Sequence, residues 1–163
     1  MEQFVFWTFA AVTLLSALGV VMLRNVLHSA LLLGLCLLGV AGLFAQLGAD
    51  FLFAAQILIY VGGIAVLILF VVLLAGRASE LITRQTNRLW GAAAVVCAAI
   101  LIGLIRLVEP FRSVKAAAAV KPTTFSIGQL MMGDMALPFE LISLILLAAL
   151  AGAIVFSRPE HDE

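Results

Sequence analysis

A polar stretch interrupts the third apolar segment of this 163-residue chain. Gln56 and Tyr60 lie four residues apart, the spacing that puts two side chains on one face of an α-helix, and Gly62 and Gly63 follow at once. Tyr60 is the only tyrosine, and it falls near the middle of the segment, so its hydroxyl needs a protein or water partner. Adjacent glycines weaken a helix and predict a kink or a π-bulge. A polar stripe beside such a point could line a path for water and protons.

The same residues also fit a purely structural role. Gly62 and Gly63 would let a neighbouring helix approach closely, while Gln56 and Tyr60 would form hydrogen bonds across the contact. The residues alone favour this packing interpretation, and both interpretations stay open at this point. Replacing Tyr60 by phenylalanine would separate a packing role from a role in a water path.

Two carboxylates border the apolar segments and are further candidates. Asp50 directly precedes the third segment, and Glu140 follows Pro138 at the start of the last one. A carboxylate stabilises a helix N-terminus, so we predict that Asp50 caps its helix and that Glu140 lies in a first turn. The functional alternative for Glu140 is a carboxylate at the mouth of a proton path.

The composition defines the class of protein. The chain is 65% hydrophobic and 11% charged, against about 25% charged residues in a soluble domain, which indicates an integral membrane protein. Nine basic residues balance nine acidic ones, which excludes nucleic acid as a partner. Cys36 and Cys97 lie in apolar runs without a CxxC spacing, so no metal site is indicated. The apolar segments lack a midplane charge, so the chain is expected to shape a path instead of binding protons itself.

The gaps between charges predict the membrane spans. Glu2, Arg24, Asp50 and Arg77 separate three long uncharged stretches, and about 20 apolar residues cross a bilayer once as a helix. The third stretch is longer than one crossing needs, so its helix must tilt, kink or wind differently. We predict an all-α, single membrane domain whose five helices cover residues 4–23, 29–47, 51–75, 89–108 and 139–156.

The connections set the predicted orientation. Basic residues of the first three short loops fall on one side, which favours an N-out, C-in topology. Residues 76–88 then form a polar inner loop. Residues 109–137 form an outer loop in which Thr124 or Ser126 could cap a short interfacial helix.

Four sequence blocks resemble one family, the J subunit of the proton-pumping NADH:quinone oxidoreductase, respiratory complex I, which includes the mitochondrially encoded chain six. The most specific blocks, residues 47–51 and 56–67, read LGADF and QILIYVGGIAVL and are similar to the family's third helix. Asn25 with the HSAL of residues 28–31 is similar to its second helix, and residues 137–140, LPFE, are similar to its last helix.

The resemblance implies a five-helix subunit of the membrane arm, near the quinone-reducing end, in the cell (inner) membrane. It implies no cofactor bound by this chain, while quinone, NADH, FMN and iron–sulfur clusters belong to the whole complex; the electron donor stays open. The implied partners are the quinone-site subunit, small three- and four-helix-type neighbours, antiporter-like subunits and the lipid bilayer. The alternative is a small stand-alone membrane transporter or channel.

The resemblance also implies a mechanism. In that family the third helix has a π-bulge, here Tyr60 to Gly63, that can relax to α-helix, turn the downstream half of the helix and gate a hydrated path. Some relatives carry glutamate in place of Gln56, so a titratable group is not expected there. Many have an aromatic residue at the position of Met135 and alanine at that of Gly63. The candidates for gating or for a proton path are Gln56, Tyr60, Gly62, Gly63, Glu140 and Asp50.

Overall fold

The computed structural model describes residues 1–75, 90–109 and 123–157, and within these ranges the chain consists of helices joined by short turns, with no strand. Five helical stretches are long and apolar enough to cross a membrane, which confirms the predicted class. These spans are Glu2–Met22, Val26–Gln46, Asp50–Leu74, Gly91–Val108 and Ala136–Phe156. The predicted inner loop 76–88, with residues 110–122 of the predicted outer loop, lies outside the described residues.

The helices follow the chain in a simple order. The first two spans are α1 (Glu2–Met22) and α2 (Val26–Gln46). The third span joins α3 (Asp50–Ala55), a π-helical segment (Gln56–Ala65) and α4 (Val66–Ala75). The fourth span is α5 (Trp90–Val108), and the fifth is α7 (Ala136–Phe156), which follows a short helix, α6 (Thr123–Met132), within the predicted outer loop.

Two helices begin three residues earlier than the charge pattern predicted. The second starts at Val26 instead of residue 29, because the Asn25 side-chain oxygen accepts hydrogen bonds from the amides of Leu27 and His28, at 3.0 and 3.3 Å. The last starts at Ala136 instead of residue 139. Pro138 is therefore inside the first turn, where its missing N–H removes no hydrogen bond.

The first two spans pack closely through glycines. A Cβ atom on Gly42 would overlap the Phe9 ring, with its Cζ only 2.8 Å away, and one on Gly39 would lie 3.3 Å from Thr13 Cα. Small residues at such positions let two helix backbones approach in a membrane, where packing replaces the hydrophobic effect as the driving force. Ser16 on α1 and Ala41 on α2 are accordingly buried.

A tight turn leads from α2 into the third span and packs the two side by side. Gly48 has a φ of 68°, its amide bonds to Ala45 O at 3.1 Å, and the Ala49 amide bonds to Phe44 O at 3.0 Å. This is the Schellman ending of a helix, which uses glycine because its left-handed conformation is unfavourable for a residue with a Cβ atom. The turn places Asp50 at the head of the third span.

The last two spans contribute little to the interior of the chain. Every described side chain of α5 is exposed, and in α7 only Gly152 is partly covered. The α6 helix packs against both α3 and α7. The packed part of the described chain is thus the bundle of the first three spans, and α5 and α7 present apolar surfaces outside it.

Candidate functional site

The third span changes its winding near its middle. Gln56–Ala65 are π-helical, with α-helix on both sides, and this segment contains the stretch Tyr60 to Gly63. At ten residues it is longer than the single-turn bulge in which π winding is usually found. Because a π-helix has wider turns than an α-helix, these ten residues make the third span irregular near its middle.

Gln56 begins the π segment and connects it to α2. Its side chain is 7% exposed, and its Nε2 donates a hydrogen bond to the main-chain oxygen of Leu37, 3.4 Å away. Within this chain, therefore, Gln56 is a buried structural contact between two spans. A buried amide group without such a bond would be costly, so the bond favours one arrangement of α2 against the π segment.

Tyr60 does not share the surroundings of Gln56, contrary to the predicted single polar stripe. Its side chain is 46% exposed, and no described residue forms a hydrogen bond with its hydroxyl. The stripe is divided because Gln56 is buried and bonded to α2, whereas Tyr60 is exposed among the described residues. The tyrosine lies on an outer surface of this chain.

The two glycines do not serve packing inside the described chain. A Cβ atom on either would meet only a carbonyl of its own π segment, so neither glycine admits another helix from among the described residues, and close packing with a neighbouring helix from elsewhere stays a prediction. They also differ from each other. A Cβ on Gly62 would lie 3.3 Å from Ile57 O, a tight contact, whereas one on Gly63 would lie 3.8 Å from Leu58 O, an ordinary one.

The sequence predicted that Asp50 caps its own helix, and this prediction is wrong. The N-cap is Ala49, which makes no side-chain capping bond, and Asp50 is the first helical residue. Its carboxylate oxygen Oδ2 instead accepts hydrogen bonds from the Thr124 amide, at 3.2 Å, and from the Thr124 hydroxyl. Asp50 thus caps α6, a helix 74 residues further along the chain. A contact this distant has no local sequence signal.

Glu140 is the fifth residue of α7, so the predicted first-turn position is also wrong. The helix begins at Ala136, three residues earlier than expected, which moves the carboxylate beyond the turn where the helix dipole stabilises it most. Its side chain is exposed, and its main-chain oxygen accepts a hydrogen bond from Ser143 at 2.6 Å. The structure brings Glu140 together with none of the other candidates.

Gln46 is a polar residue that the sequence analysis overlooked. It ends α2 beside an open apolar cleft of about 450 Å³ between the first three spans, whose walls include Phe9 and Phe53. Its Nε2 donates to the main-chain oxygen of Glu2, while its buried Oε1 has no partner among the described residues. Its position at a helix end was readable from the sequence, but its contact with the start of α1 was not.

The described residues offer no obvious ligand set for a metal or a cluster. Within residues 1–75, 90–109 and 123–157, no three His, Cys, Asp or Glu side chains come together. Cys36 lies in α2 and Cys97 in α5, and neither forms a disulfide. The site is therefore built from helix winding and from a few uncharged polar groups near midspan, with carboxylates only towards the span ends.

Comparisons with known proteins agree with this description. The family model for NADH-ubiquinone/plastoquinone oxidoreductase chain 6 matches residues 16–156. NAD(P)H-quinone oxidoreductase chain 6 of Leptolyngbya boryana is 43% identical, over 94% of this chain and 80% of its own length. The corresponding subunit 6 of the Paulinella chromatophora chromatophore is 42% identical (95% and 77%), and chain 6 of Synechocystis sp. is 39% identical (91% and 78%).

The fold and the site define a multi-pass membrane protein whose distinguishing feature is a π-helical segment in its third span. The chain belongs to the family of NADH-ubiquinone/plastoquinone oxidoreductase chain 6, the J-subunit family of complex I. It is a membrane subunit of that enzyme complex, so its partners include other subunits of the complex, and the alternative of a stand-alone transporter or channel is not favoured.

Proposed function

We propose that this chain couples quinone reduction to proton translocation by changing the winding of its third span. Converting the π segment to α-helix would shift its hydrogen-bond register and rotate the following half, α4, by about 100° for each residue of register shifted. That rotation would open or close a hydrated path near Tyr60. The chain contributes geometry, and the titrating groups come mainly from neighbouring subunits.

The single observation that carries this proposal is the π-helix Gln56–Ala65 itself, at midspan, with Tyr60 on an outer surface. Nothing within the described chain holds Tyr60, Gly62 or Gly63 in a packed contact with another helix. These residues therefore face other subunits, lipid or water in the complex. A polar tyrosine at such a place supports a hydrated contact between subunits.

The proposed neighbours follow from the family and from the exposed spans. They are the quinone-site subunit, the small three- and four-helix-type subunits and the antiporter-like subunits, with α5 and α7 against other chains or lipid. Quinone, NADH or another donor, FMN and iron–sulfur clusters belong to those chains. The proposed orientation is N-out, C-in in the cell (inner) membrane, which puts Asp50, Thr124 and Glu140 towards the outer side.

The two glycines provide a matched test. Gly62→Ala places a methyl group 3.3 Å from Ile57 O of the π segment, a tight contact that should disfavour π winding, whereas Gly63→Ala places the same methyl group at an ordinary 3.8 Å from Leu58 O. Both gain the same helix propensity, about 1 kcal/mol, so that effect cancels between them. We expect Gly62→Ala to lower proton translocation coupled to quinone reduction several-fold at normal assembly, and Gly63→Ala to stay near wild type. Equal activities in the two variants would contradict the proposal.

A further inference from the structure

The hydrogen bonds between Asp50 and Thr124 join two parts of the chain that otherwise meet little. Thr124 is the second residue of α6, so its amide is one of the first four that a helix cannot satisfy internally. Asp50 Oδ2 accepts from that amide at 3.2 Å and also from the Thr124 hydroxyl. A carboxylate in this position is a charge-assisted cap, stronger than a bond between neutral groups.

These bonds act at one end of the third span only. On the side that faces α2, the Schellman turn at Gly48 fixes the same end, and Gln56, six residues after Asp50, forms a hydrogen bond with α2. On the other side, α6 continues through a short turn at Gly133 into α7. The start of the third span is therefore tied both to the three-span bundle and to the unit formed by α6 and α7.

The opposite end of the span has no comparable polar anchor in the part of the chain that the structure describes. The ten residues of α4 read VLILFVVLLA, so its contacts with α2 are apolar and have no fixed direction. A helix that changes winding in its middle must turn one half against the other, and the half held by directional bonds stays in place. The half that turns is then α4.

We propose that Asp50 is a positioning residue: its bonds to Thr124 form a latch between the start of the third span and α6. The latch holds the start of the span in place, so a change of winding in the π segment rotates α4. This inference rests on the proposed function, because that proposal supplies the rotation of α4. The latch itself is defined by the Asp50–Thr124 bonds, which can be tested without reference to winding. Asp50 needs no proton exchange for this role.

The test uses the assembled complex with three single variants, one double variant that combines Asp50→Ala with Thr124→Val, and one control. Asp50→Ala removes both bonds, Thr124→Val removes only the hydroxyl bond, and Thr124→Ser keeps both. Ser126→Ala is the control, because Ser126 is an exposed hydroxyl residue on the same helix. Two quantities are measured per assembled complex: amide hydrogen exchange in the first turn of α6, and protons translocated per quinone reduced.

The latch predicts that exchange in the first turn of α6 becomes about fivefold faster in Asp50→Ala, which is the usual effect of losing a cap. Thr124→Val should have a smaller effect, and Asp50→Ala with Thr124→Val should match Asp50→Ala alone, because both act on one contact. The proton-to-quinone ratio should fall at least twofold in Asp50→Ala and stay normal in Thr124→Ser and Ser126→Ala. A merely structural contact would lower the amount assembled without changing that ratio.

Each outcome separates the latch from the winding proposal. Unchanged exchange in Asp50→Ala overturns the latch, whatever Gly62→Ala does. Faster exchange with an unchanged ratio overturns the positioning role and leaves only a helix cap. Faster exchange with a lowered ratio supports the latch, and if Gly62→Ala is then normal, it is the winding proposal that fails.

Discussion

The side-chain amide of Gln56 donates a hydrogen bond to the main-chain oxygen of Leu37, 3.4 Å away, at the residue where the third span passes from α to π winding. The bond joins the second span to the start of the rewound segment, and Gln56 is buried there. This hydrogen bond between the two spans therefore lies at the first residue of the segment whose winding is proposed to change.

Removing this bond should loosen the contact between α2 and the third span. We expect Gln56→Leu to lower the stability of the packed chain by about 1 kcal/mol, the usual net value of a hydrogen bond. The measurement is the thermal inactivation temperature of the purified complex. Gln129→Leu is the matched control, because Gln129 is an exposed glutamine on α6. Equal inactivation temperatures in the two variants would show that the Gln56 bond has no such role.

Tyr60 should matter for activity and not for the stability of this chain. Its side chain is 46% exposed and no described residue bonds to its hydroxyl, so Tyr60→Phe removes no contact within the described chain. We expect normal assembly with a several-fold loss of proton translocation coupled to quinone reduction. The comparison is with Phe70→Leu, at another exposed aromatic residue of the same span. Reduced assembly of Tyr60→Phe at full specific activity would instead assign the hydroxyl to packing.

The contact between the first two spans should not tolerate a methyl group at Gly42. Gly42→Ala would force Cβ into the Phe9 ring, and overpacking of this kind typically costs about 1–3 kcal/mol. We expect less assembled complex, measured by gel electrophoresis under native conditions. Gly34→Ala, on the same helix, is the control, because its Cβ would meet only Ala65 Cβ at 4.0 Å. If Gly42→Ala assembles as well as Gly34→Ala, the close approach of α1 and α2 is not needed.

Glu140 can be tested as a proton-path group by removing only its charge. Glu140→Gln keeps the shape of an exposed side chain in the second turn of α7, so assembly should be normal. A role at the mouth of a proton path predicts a several-fold loss of proton translocation. Glu109→Gln is the control, since Glu109 lies 3.9 Å from Arg106 in an exposed pair of little energetic weight. Full translocation in Glu140→Gln would remove this residue from the candidates.

Features with a local signal were readable from the sequence. Charges confined to the ends of apolar runs predicted the five spans, and the excess length of the third stretch together with Gly62 and Gly63 predicted irregular winding near its middle. The start of α2 also had a local signal, because asparagine is a good N-cap. The boundary predicted from the charges did not use Asn25 and was therefore three residues late.

Features that depend on distant parts of the chain were not readable. The sequence gives no sign that Asp50 meets Thr124, because the chain between them is long and the contact depends on how α6 folds back. The separation of Gln56 from Tyr60 had the same cause, since helix spacing says which residues share a face but not which neighbour covers them. Tertiary packing decided both.

The most direct measurement of the central claim is the winding of the third span in cryo-electron microscopy maps of the assembled complex, at rest and during turnover with quinone. The proposal predicts two classes of particles: one with Gln56–Ala65 in π winding, and one with regular α winding and α4 side chains turned about the helix axis by about 100° or more. The Asp50–Thr124 contact should be the same in both. A single winding in every class, with α4 in one orientation, would contradict the account.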